Sequence, residues 1–99
     1  MKIIFLVYHD ILEDRVSLLL EKLKIDYFTE WENVKGKGHS SDAHLGTRVF
    51  PGFNAVKMIA FRETKLLDDL ITGIKKLNEQ VKREDDLIRL FQIPLERLI

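Results

Sequence analysis

The segment VKGKGHSSDAHLGTRVFPG, residues Val34–Gly52, decides how the chain is interpreted, because it is the only long run suited neither to a core strand nor to a core helix. It holds four glycines, one proline, two serines and two histidines. Such residues mark turns and loops. Loops of this length are uncommon in compact domains and usually bind something or move. The segment therefore predicts a long functional loop at about residues 36–52.

Length and composition limit the class of protein. The 99 residues are expected to form one domain, residues 1–99. Sixteen Lys and Arg balance sixteen Asp and Glu, so no net field favours nucleic acid or an anionic membrane. The absence of cysteine excludes disulfides and thiolate zinc sites. The first apolar run is too short for a signal peptide or a membrane span, which predicts a cytoplasmic protein without membrane insertion.

Three patterned segments precede the loop. Ile3–Tyr8 is a run of β-forming residues with apolar side chains on both faces, typical of a strand covered from two directions. Apolar residues at three- and four-residue steps over Leu12–Lys24 predict an amphipathic helix, with Asp10 as its N-cap. Tyr27–Val34 returns to strand character.

Three further segments follow the loop. Phe53–Phe61 predicts a strongly apolar strand, so the loop joins two strands. Thr64 is a candidate N-cap for a second amphipathic helix, in which Gly73 costs about 1 kcal/mol relative to alanine unless a close neighbour needs the space. The expected buried stripe of this helix is Leu67, Leu70, Ile71, Ile74, Leu77 and Val81. Leu87–Ile93 predicts a fourth strand.

The order of these elements is the βαββαβ pattern of an α+β, ferredoxin-like domain. Right-handed crossovers place both helices on one face of a four-stranded antiparallel sheet. Neighbouring apolar residues supply side chains to both sheet faces: Ile3/Ile4, Val56/Met58/Ile59 and Ile88/Leu90/Phe91. The helix-free face should therefore be buried against other copies of the chain. The sequence therefore predicts a homo-oligomer.

Thr29-Glu30, followed by the V-K-G-K-G run Val34–Gly38, resembles the TEVKGxG segment that enters the long loop of the P-II family of nitrogen-regulatory signalling proteins. The resemblance extends over most of the chain and implies a homotrimer. It also implies that the loop responds to nucleotide and 2-oxoglutarate and docks on a transporter or an enzyme. The residues it assigns to holding ATP or ADP between subunits are Lys35, Gly36, Lys37 and Gly38.

The chain departs from the family pattern at several positions. Ser40 stands where the family has a glutamine that helps to bind magnesium and 2-oxoglutarate. The family's glycine- and lysine-rich phosphate loop is replaced by Lys82–Asp86, which is acidic and lacks glycine. Carboxylates repel phosphate, and phosphate binding needs close approach of backbone N–H groups. These departures predict a divergent P-II-like protein with altered nucleotide and 2-oxoglutarate binding.

The loop also contains candidate metal ligands. His39, Asp42 and His44 lie within six residues of one another. Two imidazoles and a carboxylate suit Zn, Cu, Ni or Co, and an oligomer can supply further ligands. The alternative is that these residues are solvated and were selected for polarity and turn formation.

Cationic and aromatic residues at the loop ends suggest two further sites. Lys35, Lys37 and Arg48 either meet an anionic ligand beside the glycines or solvate the base of the hairpin. Phe50 and Pro51 are candidate contacts to a partner protein. The alternative for Phe50 is that it packs within the oligomer.

The remaining polar residues are interpreted structurally. His9 is expected in a turn or an interface, and Lys82–Asp86 as a solvated connection. Strand alternation puts Glu30 and Glu32 on one face, where they are expected to form interfacial salt bridges. The sequence contains no Ser/His/Asp order, P-loop or HExxH element, so an enzyme is not expected.

Two functional hypotheses follow. The first is a P-II-like regulatory protein whose long loop senses a small ligand or docks on a target, because a ligand at the loop base favours one loop conformation. The alternative is a metal-binding trimer similar to the divalent-cation tolerance proteins, with the loop histidines as ligands. An adenine nucleotide and a divalent metal are the candidate cofactors.

Overall fold

A computed structural model describes residues 1–38, 44, 46 and 52–99. The six main elements are β1 Lys2–His9, α1 Glu13–Lys22, β2 Thr29–Val34, β3 Asn54–Phe61, α2 Thr64–Glu79 and β4 Arg89–Pro94. Single turns of 3-10 helix at Asp10–Leu12 and Glu84–Asp86 precede α1 and β4. The predicted α+β, ferredoxin-like order is confirmed, and the element boundaries differ from the expected ones by a residue or two.

The sheet has the strand order β2-β3-β1-β4, and all neighbouring strands are antiparallel. Central strand β1 pairs along its whole length with β3, from Lys2 opposite Phe61 to His9 opposite Asn54. The pairing of β2 with β3 shifts register between Trp31 and Val34. Such irregularities bend a strand, and this one lies directly before the predicted loop base.

The predicted helix N-caps are wrong. Leu12 and Glu63 occupy the N-cap positions of α1 and α2, and neither makes a side-chain capping hydrogen bond. Asp10 instead ties the end of β1 to the start of β3. Its backbone N–H donates to the Phe53 carbonyl at 2.9 Å, and its carboxylate accepts from the Phe53 N–H at 3.3 Å.

The core lies between the helices and one face of the sheet. Side chains alternate across β1 and β3, so every second residue faces α1 and α2. A Cβ at Gly73 would clash with Leu19, so α1 and α2 pack closely where α2 has its glycine. The buried apolar residues are Ile4, Leu6, Tyr8, Leu12, Val16, Leu20, Ile25, Ala55, Ile59, Phe61, Leu67, Leu70, Ile74 and Ile88.

The opposite, helix-free face of the sheet is apolar and exposed in a single chain. Trp31 lies opposite Val56, Phe91 opposite Phe5, and Ile93 opposite Ile3 in the ladder. Trp31, Phe91 and Ile93 are 46%, 53% and 46% exposed. Within the described residues, no helix has both the length and the apolar character needed to cross a membrane.

Candidate functional site

A cleft of about 570 Å³ lies where the predicted loop base meets the segment between α2 and β4. Lys35–Gly38 line one side and Glu84, Asp85 and Arg89 line the other, while Val7 and Phe91 carry the lining onto the helix-free face. The fold thus brings four of the predicted ligand-binding residues, Lys35, Gly36, Lys37 and Gly38, to one cavity. Arg48, Phe50 and Pro51 lie outside the described residues.

The charge in this cleft is mixed. Lys35 and Lys37 are exposed on one side. The opposite side carries Glu84 and Asp85, with Arg89 nearby. Asp85 lies 3.4 Å from the guanidinium of Arg83. The cleft therefore offers ammonium groups to an anion at the loop base, and carboxylates to hydrogen-bond donors across from it.

Two hydrogen bonds join Gly36, at the start of the predicted loop, to His44. The Gly36 N–H donates to the His44 carbonyl at 2.8 Å, and the His44 N–H donates to the Gly36 carbonyl at 2.7 Å. A Cβ at Gly36 would clash with the Asn54 amide, so glycine allows the two to approach. The bridge places the His44 ring next to the end of β1.

His44 meets His9 and Asp86 there. The two imidazole rings stack with centroids 4.1 Å apart and planes 7° from parallel. Asp86 Oδ1 lies 3.3 Å from His9 Nδ1 and 3.5 Å from His44 Nε2. We call these three residues the His9 cluster.

Neighbouring residues position the members of the His9 cluster. His44 Nδ1 lies 2.8 Å from Asn54 Oδ1, and His9 Nε2 lies 3.3 Å from Asp10 Oδ1. Asn78 on α2 holds the chain just after Asp86: its amide donates to the Ile88 carbonyl at 2.9 Å and accepts from the Ile88 N–H at 2.7 Å. The cluster is therefore fixed from β1, from β3 and from the end of α2.

The polar atoms of the cluster lack ordinary partners. His9 Nδ1, His9 Nε2 and Asp86 Oδ1 are buried and make no hydrogen bond within the described residues, although all three have close polar neighbours. Leaving buried polar groups without hydrogen bonds costs about 1–3 kcal/mol each. The cluster is thus costly for the fold in the absence of a cation or a proton among these atoms.

Sequence reasoning missed most of this arrangement. His9 ends β1 directly before a 3-10 turn, which agrees with its interpretation as a turn residue, but its side chain also joins the cluster. The interpretation of Lys82–Asp86 as a solvated connection is wrong at Asp86, whose side chain is largely buried. Of the predicted metal ligands, His44 lies in the cluster, whereas His39 and Asp42 are outside the described residues. One feature of the sequence could have indicated the cluster: His9 is the polar residue that ends the apolar central strand.

A second polar cluster surrounds the buried Lys57 of β3, which is 1% exposed. Its ammonium donates to the Tyr8 hydroxyl at 2.6 Å and to Glu13 at 2.7 Å, and it pairs with Glu30 at 3.1 Å. The Tyr8 hydroxyl donates in turn to Glu13. Glu30 therefore has its partner in its own chain, which corrects the expectation of an interfacial salt bridge at this residue.

Ionisation in this second cluster favours a structural role. Burial alone would lower the pKa of Lys57, but its hydrogen bonds to Glu13, Tyr8 and Glu30 raise it above the ordinary value. Burial would raise the pKa of Glu13, but hydrogen bonds from Lys57 and Tyr8 lower it below the ordinary value. Burial is the main reason that the pKa of Tyr8 is raised. Lys57 therefore stays protonated and is neither a base nor a nucleophile. The lone lysine in an apolar strand was the available sequence signal.

Comparisons with known proteins agree with the architecture. No protein-family model matches the sequence, and no curated protein matches it. Three solved structures of CPII from Thiomonas intermedia K12, a nitrogen regulatory PII-like protein, superpose over 97% of this chain and 88% of theirs. Their TM-scores are 0.68, 0.69 and 0.67. The chain has the P-II-like fold.

The sequence identity with these structures is 16–17%, so the likeness concerns the fold. The resemblance drawn from Val34–Gly38 is confirmed at that level. CPII is bound to ADP and bicarbonate in one structure, to ADP, AMP and bicarbonate in the second, and to ADP, AMP and acetate in the third.

Proposed function

We propose that this protein is a P-II-like regulatory protein that binds a small anionic ligand in the cleft beside Lys35–Gly38, and that its long loop reports the ligand or docks on a target. One observation carries the proposal: the loop base and the segment before β4 line the same cleft. A ligand there touches the residues from which the loop departs. The role is one of binding rather than catalysis.

The charges in the cleft select among anions. Lys35 and Lys37 can each donate to a phosphate or carboxylate oxygen. Glu84 and Asp85 on the opposite side disfavour a highly charged polyphosphate. Val7 and Phe91 add apolar surface suited to a flat ring. We therefore expect AMP, ADP or bicarbonate to bind better than ATP. CPII, which has the same fold, is bound to ADP, AMP and bicarbonate in its structures, which supports testing these ligands first.

The mechanism follows from the bridge at the loop base. The Gly36–His44 hydrogen bonds join two positions of the predicted loop to each other next to the cleft. A ligand that binds better when this bridge is formed shifts the equilibrium of the loop toward the bridged state. The size of the shift is limited by the difference between the ligand's affinities for the bridged and the open loop. The target would be a transporter or an enzyme, as the family resemblance implies. Phe50 and Pro51 stay predicted contacts.

We infer that several copies of the chain, in a homotrimer as the resemblance implies, bury the helix-free face. Trp31, Phe91 and Ile93 expose apolar surface on this face, and exposed patches of that kind usually mark an interface. The cleft continues onto the same face through Val7 and Phe91, so a second copy placed there would complete its walls.

Calorimetry with purified protein tests the ligand proposal. AMP, ADP, ATP, bicarbonate and 2-oxoglutarate are titrated separately, without metal. The double variant Lys35→Gln/Lys37→Gln should weaken binding of the preferred ligand at least tenfold, because a hydrogen bond to a charged group contributes about 1.5–3 kcal/mol. Lys75→Gln/Lys76→Gln on α2 makes the same charge change away from the cleft and should leave the affinity unaltered. Equal affinities in both variants would exclude the cleft as the binding site.

The metal-binding alternative is favoured by the proximity of His44 to another imidazole and a carboxylate. His39 and Asp42 remain predicted ligands. This second function does not require the anion site, because its candidate atoms belong to other side chains.

A further inference from the structure

We propose that His9, His44 and Asp86 form a binding site for a divalent transition-metal ion of the Zn²⁺ type, and that the ion fastens the base of the long loop to the sheet. The inference deepens the metal-binding alternative by replacing its predicted ligands. Two of the three residues, His9 and Asp86, were not among the candidates drawn from the sequence. The inference is independent of the anion proposal.

The distances between the candidate ligand atoms suit such an ion. Zinc bonds of about 2.0–2.1 Å to nitrogen and oxygen, in tetrahedral geometry, place neighbouring ligand atoms about 3.3 Å apart. Asp86 Oδ1 lies 3.3 Å from His9 Nδ1 and 3.5 Å from His44 Nε2. One ligand atom from each residue lies within 4.8 Å of the others. The two imidazole planes are nearly parallel, so one ring would have to turn about its χ2 angle for both nitrogen lone pairs to reach the same ion.

A hydrogen-bond partner assigns the imidazole tautomer of His44. Because Asn54 Oδ1 can only accept, His44 Nδ1 donates a hydrogen bond to it and the lone pair of His44 is on Nε2. His9 makes no such hydrogen bond within the described residues: its Nε2 lies 3.3 Å from Asp10 Oδ1 and its Nδ1 lies 3.3 Å from Asp86 Oδ1. A metal ion bound to Asp86 would take the lone pair of His44 Nε2 and that of His9 Nδ1, with the His9 proton on Nε2 beside Asp10. A carboxylate or amide oxygen behind each ligating histidine is the usual second layer of a metal site.

Electrostatics support a cation between these atoms. The lone pair of His44 Nε2 and the Asp86 carboxylate oxygen, 3.5 Å apart, face each other without a proton to share, and His9 Nδ1 lies 3.3 Å from the same oxygen. The side chains of His9, His44 and Asp86 are only 13%, 11% and 14% exposed, so water screens this repulsion poorly. A divalent ion would bind all three lone pairs. Two nitrogens and one oxygen of this type suit Zn²⁺, Co²⁺, Ni²⁺ or Cu²⁺ better than Mg²⁺ or Ca²⁺.

The position of the site gives the ion a consequence for the loop. His9 belongs to β1, Asp86 to the turn after α2, and His44 to the segment that pairs with Gly36. An ion bound to all three would stabilise the Gly36–His44 bridge, since releasing the bridge would also remove a ligand. His9 and His44 line the cleft beside Lys35–Gly38, so metal and anion would bind to adjoining surfaces.

Isothermal titration with ZnCl₂ tests the site, using full-length protein stripped of metal with a chelator and then freed of chelator. Wild type should bind one ion per chain. His9→Ala, His44→Ala and Asp86→Asn should each weaken binding about 100-fold or abolish it. Asn54→Ala, which removes only the partner of His44, should weaken binding about tenfold or more. Asp68→Asn, an exposed carboxylate on α2 outside the cluster, is the matched control and should retain wild-type affinity. His39→Ala and Asp42→Asn test the ligands predicted from the sequence.

Cobalt absorption gives a second readout. Co²⁺ bound by wild type should show the intense visible bands of a four- or five-coordinate site, and Asp86→Asn should lose them while its circular dichroism stays native. If wild type binds neither Zn²⁺ nor Co²⁺, the metal-binding function itself fails and the cluster holds only protons. If binding survives in Asp86→Asn and His9→Ala but is lost in His39→Ala, metal binding stands and the proposed site is wrong. Neither result affects anion titrations performed without metal.

Discussion

Replacing Lys57 with methionine tests whether the buried ammonium organises the sheet–helix packing. Methionine keeps an unbranched side chain of similar length and removes the charge. Three oxygens then lose their donor, those of Tyr8, Glu13 and Glu30. The Tyr8 hydroxyl still donates to Glu13, but the two carboxylates face each other without a cation. We therefore expect the free energy of unfolding to fall.

The burial of the partners sets the size of this loss. Removing one member of a buried ion pair costs about 3–5 kcal/mol. The Glu13 and Glu30 side chains are 38% and 34% exposed, so water partly hydrates the carboxylates left behind. That places the cost near the lower end, at about 3 kcal/mol. For a domain of this size, the midpoint of thermal unfolding should fall by roughly 12–24 °C.

Urea unfolding followed by circular dichroism, at one fixed protein concentration, measures the change. Lys65→Met is the matched control, because Lys65 makes only an exposed helical pair with Asp69 and its loss should leave stability unchanged within error. The Lys57→Met/Glu13→Gln double variant should be less destabilised than the sum of the single variants, since the two residues interact directly. A loss below about 1 kcal/mol for Lys57→Met, or strict additivity, would refute the proposed role of the cluster.

Three further outcomes are expected. The folded-state pKa of Glu13 lies below its ordinary value of 4.5. The contribution of Glu13 to stability is therefore complete above pH 4.5 and is lost as the pH falls through the folded-state pKa. In acid-unfolding titrations, Glu13→Gln should flatten the decline in stability seen in wild type, and an identical decline would contradict this expectation. Gly73→Val should cost about 1–3 kcal/mol by urea unfolding because Leu19 on α1 would have to move to make room for the side chain. Thr72→Val on the exposed side of the same helix should not; equal effects would exclude the close helix contact. Phe91→Glu on the helix-free face should shift the protein toward the monomer, as measured by light scattering at micromolar concentration. Leu18→Glu, at a similarly exposed position on α1, should not. A monomeric wild type would exclude the proposed oligomer.

Much of the fold could be predicted because it depends on local patterns. The two-residue repeat of β1 and β3 and the three- and four-residue steps of α1 and α2 follow from backbone geometry, so the elements could be recognised one at a time. Gly73 could be interpreted as the mark of a close neighbour for the same reason. The helix cap at Asp10 was misassigned because a 3-10 turn and a tie to Phe53 took the place of local capping, whereas Thr64 is the first residue of α2 and Glu63 precedes it at the cap position.

The candidate site was predicted only in part. Lys35–Gly38 could be found because a lysine- and glycine-rich run at a loop base indicates a binding segment before its partner surface is known. On its opposite wall, Glu84 and Asp85 were interpreted as part of a solvated connection, because acidic residues in an isolated connection usually are, and Arg89 as part of the fourth strand. Adjacency to the loop base follows from the order of the strands, which places the start of β4 beside the end of β1.

The kinds of elements, their order and the polar loop predicted between β2 and β3 follow from local sequence, since each is encoded by neighbouring residues. Which polar groups come into contact depends on the three-dimensional arrangement of the chain. His9, His44 and Asp86 converge because the β1–β3 register, the Gly36–His44 bridge and the Asn78 contacts to Ile88 act together. Lys57 is buried with two carboxylates because the alternation of β3 turns it toward α1. These contacts join residues that are far apart in the chain, so no local sequence pattern predicts them.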